Sequence, residues 1–214
     1  VTTFIEDLEA FKTDRLSPIV AAGRASLSGD AGDPQTMLQV ALANEISVSE
    51  LAAAWMPSTR EIDVKLAFAR QAGDEASHFQ LVADRLSALG FDVDGFRAPA
   101  ENPLFRYLHG LPSTVERIAG GLFTLESIAY AVNESFMAFC DKRGDSETVR
   151  IYREYIQPDE LAHQKLGQRL LAKYATTPEL QAAARQTVSQ VVDIATAARA
   201  AAATRMNTAC FPGC

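Results

Sequence analysis

Apolar positions recur at helical spacing through nearly every long stretch of the chain, and no run alternates with period two between turn signals, so the pattern predicts an all-α fold. A first helix is expected over about residues 2–23, and a Ser/Gly/Asp/Pro cluster at 27–34 interrupts it. The second runs from Pro34, suited to a first helical turn, to about Trp55. "MPSTRE" at 56–61 breaks the chain, and Ser58 with Glu61 has the spacing of a capping box for a third helix, which stops at Leu89 before Gly90.

Residues 90–112 hold three Gly and three Pro, too irregular for one helix and long enough to cross a bundle. Ser113 with Glu116 repeats the capping-box spacing ahead of a fourth helix to about Asp141. "DKRGDSE" then turns the chain, with Gly144 as a helix stop and Ser146 as the next cap. A fifth helix reaches about Tyr174, and an Ala-rich sixth covers 178–206. Two hairpins of long helices joined by a long crossover make a four-helix bundle with extra helices at both ends, read as one domain over 1–214 with its core at about 36–174.

Of three histidines, His78 and His163 end the similar phrases "DEASH" at 74–78 and "DELAH" at 159–163. Glu and His at i and i+3 share a helix face and can bind one metal ion. A two-metal site needs two more carboxylates at the same height on the facing helices, so the partners should straddle each hairpin turn symmetrically. Glu45 and Glu75 have their midpoint at residue 60, and Glu126 and Glu160 at residue 143, both within turns placed from Pro, Gly and cap residues alone. Glu50 and Glu134 are second choices, the latter about 12 Å beyond Glu126 along the axis. Apolar neighbours surround Glu45 (Ala41, Leu42, Val48) and Glu126 (Leu122, Phe123, Ala129), where a lone carboxylate is costly and a cation removes the cost.

The set Glu45, Glu75, His78, Glu126, Glu160 and His163 resembles the ferritin-like di-iron carboxylate proteins, whose signature is E…ExxH…E…ExxH on four helices. The resemblance implies two iron ions, with manganese or a mixed pair also admitted by this donor set. Glu75 and Glu160 would bridge them; Glu45 and His78 would complete one and Glu126 and His163 the other. Asp74 and Asp159 match the acid of the DExxH variant in oxygenase-type members, which orients a ligand histidine. Tyr130, one turn beyond Glu126, is the candidate catalytic residue near the metals.

The implied function is an O2-activating oxidase or oxygenase acting on a small organic substrate, with a ferroxidase or iron-storage protein, or a structural subunit of a larger oxygenase complex, as alternatives. The chain shows no flavin or nicotinamide fingerprint, so electrons are expected from a separate reductase or ferredoxin. A net charge of −7 disfavours nucleic acid as a partner, and the paired CxxC motifs of a rubredoxin part are missing. With no run of some 18 apolar residues and no leader pattern, the protein reads as cytoplasmic, without a membrane partner, and a homodimer is admitted. Cys140, Cys210 and Cys214 are too few for a disulfide framework, and the "CFPGC" end is expected to carry no essential function. Pro158 predicts a kink or bulge between about Tyr155 and Glu160, the alternative being a helix that ends near Ile156 and restarts.

Overall fold

Side-chain caps start most of the helices. Thr3 and Glu6 form a capping box at the head of α1 (Phe4–Ser26), and Asp33 caps α2 (Pro34–Trp55) with Pro34 at its first turn. The computed structural model describes residues 3–29, 31–97 and 102–213, and every regular element in them is helical. Next come α3 (Ile62–Ala88) and a short α4 (Pro103–His109). The run α5 is Thr114–Ile118, Ala119–Leu125 and Glu126–Asp141. The run α6 is Ser146–Ile151, Tyr152–Ile156 and Gln157–Tyr174, and α7 is Pro178–Met206. The middle segments of α5 and α6 are wide π turns.

The helices α2 and α3 form one hairpin and α5 and α6 the other, with α1 and α7 packed against the second. The fold is therefore an all-α helical bundle. Gly90, at φ +87°, ends α3 by letting the Phe91 N–H reach the Leu86 carbonyl. No helix among the described residues is long and apolar enough to cross a membrane.

Local signals fail in four places, each for a visible reason. The helix α1 continues through Pro18 to Ser26, because the Ser17 hydroxyl donates to the Asp14 carbonyl that the proline leaves without its amide. Ser58 and Glu61 do not form a capping box. Glu61 accepts from the Thr114 hydroxyl at 2.7 Å instead, and Ser58 takes a bond from Arg117. Asp145 rather than Ser146 caps α6, its carboxylate accepting from the Thr148 N–H. Within the crossover, Asn102 caps α4, which the Gly/Pro content had hidden.

The helix neither ends at Ile156 nor runs regularly into Pro158. The wide turn lies over Tyr152–Ile156, and the Gln157 N–H reaches back five residues to the Tyr152 carbonyl. The distortion thus begins about three residues earlier than the proline alone suggests.

Two apolar clusters fill the bundle, one around Trp55, Phe68 and Phe123, the other around Met37, Phe136 and Tyr152. On α2 the junction between them falls between Leu42 and Val48, on α3 between Phe68 and Val82, and on α6 between Ile156 and Leu170. Glu45, the Glu75/His78 pair and the Glu160/His163 pair lie in those three gaps, so a polar layer divides the core.

Candidate metal centre

Each hairpin delivers a lone glutamate on its first helix and a Glu-x-x-His pair on its second. The structure brings all six predicted residues together, every one of them at least 96% buried. Ligand atoms of Glu45, Glu75, His78 and Glu160 lie within 4.8 Å of one another, and so do those of Glu75, Glu126, Glu160 and His163. Glu75 and Glu160 belong to both groups. The arrangement has room for two cations that share two carboxylates.

The imidazoles are aimed from across the bundle. His78 turns Nδ1 toward Glu75 (3.3 Å) and Glu45 (3.6 Å), while its Nε2 meets Asp159 at 3.1 Å. His163 turns Nδ1 toward Glu75 (3.5 Å) and Glu126 (3.7 Å), and its Nε2 meets Asp74 at 2.9 Å. Each aspartate orients the histidine of the opposite motif, not of its own. An Nε2–H donated to a carboxylate leaves Nδ1 facing inward as the ligand atom.

Burial raises Glu45 to about 8 and pushes Glu160 well above the usual carboxylate range, with neighbouring carboxylates adding to both shifts. Burial also opposes the charge on Glu75, but the facing imidazoles of His163 and His78 hold it well below its ordinary value. Burial disfavours imidazolium as well; the facing carboxylates of Glu45 and Glu75 outweigh it at His78, raised to about 12, and those of Glu126 and Glu75, too far for a regular hydrogen bond, outweigh it at His163, raised to about 11. In the metal-free protein the histidines therefore supply the positive charge.

That neutralisation is incomplete. Glu75 Oε1, Glu160 Oε2 and His163 Nδ1 are buried with no hydrogen-bond partner. Orphaned buried polar atoms are costly, and three that face one inter-helix space suit a bound cation. Four carboxylates and two imidazoles suit iron or manganese better than zinc or copper.

The second choices fall outside. Glu50 and Glu134 are exposed, and Glu134 accepts from Gln157 at 3.0 Å. Tyr130 lines a cavity that none of the six cluster residues lines. It is half-buried on an outward-facing cavity of about 580 Å³, with Glu134, Arg153 and Pro158. The buried face of α5 runs from Glu126 through Ala129 and Asn133 to Phe136, with Tyr130 at its edge.

The aromatic group near the centre is Tyr152, fully buried, packed edge-on against Phe136 at 5.0 Å, its hydroxyl without a partner. Burial raises its phenol well above the ordinary value, and Glu45 and Glu160 add to the shift. It stands eight residues before Glu160, on the same helix face only once the wide turn is counted. Gln71, also buried, donates from its side-chain amide to Glu126. Its position four residues before Glu75, on the same helix face, was a readable signal. Cys140 and Cys210 are buried free thiols, with burial pushing Cys140 up to about 12; Cys214 lies outside the described residues.

A crystal structure of a TenA homolog from Pseudomonas syringae pv. tomato is similar to this chain with a TM-score of 0.56, covering 86% of this chain and 89% of that one at 16% identity. At that identity the likeness shows the fold alone. No curated protein matches the chain. Residues 39–208, which include all six cluster residues, match the family described as protein of unknown function, DUF455, and the chain belongs to that family.

Proposed function

We propose that the chain is a ferritin-like di-metal carboxylate protein that activates O2 to oxidise a small organic molecule, with electrons from a separate reductase or ferredoxin. The observation that carries this reading is the pair of four-residue groups sharing Glu75 and Glu160 and leaving three buried polar atoms without partners. Glu45 and His78 would complete one metal position, and Glu126 and His163 the other. Iron held there supplies electrons to O2.

The chain's own residues do the rest. Asp159 and Asp74 fix the two imidazole planes. Glu75 and Glu160, which belong to both groups, would each hold both ions. The apolar clusters above and below exclude water, which strengthens every charge interaction in the layer. Gln71 holds one oxygen of Glu126 and limits how that carboxylate swings.

Anaerobic loading with Fe(II), followed by admission of O2, tests this. The expected result is about two irons per chain, rapid O2 uptake and a transient change in the optical spectrum, with the binding lost in Glu75→Ala. Uptake of hundreds of irons per assembly would replace the reading with iron storage. No uptake would leave a structural role, and equal iron in wild type and Glu75→Ala would refute the site.

A further inference from the structure

One buried cation that this centre does not use is Lys12 of α1, 1% exposed. Its ammonium donates to Ser127 Oγ at 2.7 Å, to Glu9 Oε2 at 2.9 Å and to the Phe123 carbonyl at 3.3 Å. It also sits 3.7 Å from the centre of the Phe123 ring. Burial pulls the ammonium down to about 8 against the attraction of Glu9, so holding it there costs stability.

Two of its partners, Phe123 and Ser127, flank a ligand. Phe123 lies in the wide turn Ala119–Leu125, Glu126 is the residue that follows that turn, and Ser127 comes next. A wide turn disturbs the regular helical bonding of its carbonyls. Here the Phe123 carbonyl receives the Ser127 hydroxyl at 2.6 Å as well as Lys12. On the opposite side the turn is held by α6. A Cβ at Gly167 would lie 2.8 Å from the Phe123 nitrogen and 2.9 Å from the Leu122 carbonyl carbon, so only glycine admits this approach.

Glu9 extends the brace to the helix of His163. Its carboxylate accepts from Gln168 at 2.8 Å and from Gln164, the neighbour of His163, at 3.4 Å. The first hairpin is built differently. Around Glu45, α2 is regular α-helix, and Ile46 stands where Ser127 stands beside Glu126.

From these contacts we infer that Lys12 is a positioning residue for one half of the centre: through the wide turn it sets Glu126, making the Glu126/His163 subsite dependent on α1 and the Glu45/His78 subsite independent of it. This rests on the di-metal reading above. It makes the two metal positions chemically unequal, although their ligand sets match.

Mn(II) titration of the full chain under argon, followed by calorimetry and by electron paramagnetic resonance of the free ion, separates the halves. In a Glu45→Ala background, Lys12→Met is expected to weaken the remaining Glu126/His163 site about 10–100-fold, the range for losing an outer partner of a ligand. In a Glu126→Ala background the same change should leave affinity within about twofold, because its target is gone. Methionine matches the lysine stem and leaves Glu9 half-exposed to water. Should Lys12→Met fail to fold, Ser127→Ala removes the neighbouring hydroxyl, and the same split is expected. Equal losses in both backgrounds, or no loss in either, would overturn the proposal. Failure of the wild type to take up Mn(II) would instead overturn the di-metal reading on which it stands.

Discussion

Metal loading should expel protons, and their number follows from the metal-free cluster. At pH 7 His78, held at about 12, and His163, at about 11, each carry a proton that a metal must displace from the inward nitrogen. Glu160, raised well above the carboxylate range, carries a third. Glu45, at about 8, is about nine-tenths protonated at that pH and supplies most of a fourth, whereas Glu75 is already ionised. Filling both positions should release about four protons per chain. Calorimetric titrations in buffers of different ionisation enthalpy read this directly as the slope of observed heat against buffer heat. The same count requires the product of the two binding constants to rise about 10⁴-fold from pH 6 to pH 7. Glu160→Gln, which has no proton to lose, should lower the slope to about three. A slope below about two would mean that the imidazoles do not enter as ligands from the protonated state, and the reasoning would fail.

Without metal, the folded protein keeps protons on Glu45 and Glu160 above pH 4.5, and on both histidines above pH 6.5, that the unfolded chain gives up. Stability in the presence of chelator should therefore fall as the pH rises from about 5 toward 8, as read in urea titrations. Gly167→Ala should cost about 1–3 kcal/mol in the same assay, since the new methyl meets backbone of α5 rather than a side chain that can move. Tyr152→Phe removes a buried hydroxyl with no partner and should raise metal-free stability by about 1 kcal/mol; a loss of that size would reveal a bond to the hydroxyl. Asp159→Asn should weaken metal at His78, on the other hairpin, about 10–100-fold while sparing His163, as seen by Mn(II) titration of the Glu126→Ala and Glu45→Ala proteins.

The long elements were legible because helical periodicity and terminal residues agreed. Pro34–Trp55 and Pro178–Met206 stand where the pattern put them. The six clustered residues were legible for a geometric reason: antiparallel helices place residues equidistant from a turn at one height, and turns announce themselves through Gly, Pro and caps. Contacts between distant segments were not legible. Ser58/Glu61 and Ser113/Glu116 have the same spacing, yet only the second forms a box, because Thr114 captures Glu61. The wide turn before Glu126 escaped as well, and the one before Glu160 was placed about three residues late from Pro158, since one extra residue per turn shifts a periodic pattern by less than its own scatter. That shift is also why Tyr152, eight residues before Glu160, ends inside. Nothing local in the sequence marks Lys12 as the residue that reaches Ser127.

The crossed aspartates have a consequence for the architecture. Asp159 meets His78 and Asp74 meets His163, so residue i of one half touches j of the other while j touches i. Such reciprocity is how two copies meet about a twofold axis. An approximate axis of that kind passes between the two shared glutamates, and the ligand set by itself obeys it. Symmetry alone would make the two ions interchangeable, with no preferred direction for an electron or a substrate. Whatever direction the centre has must come from residues that break the axis: Lys12 and the wide turn on one flank, Tyr152 and Pro158 on the other.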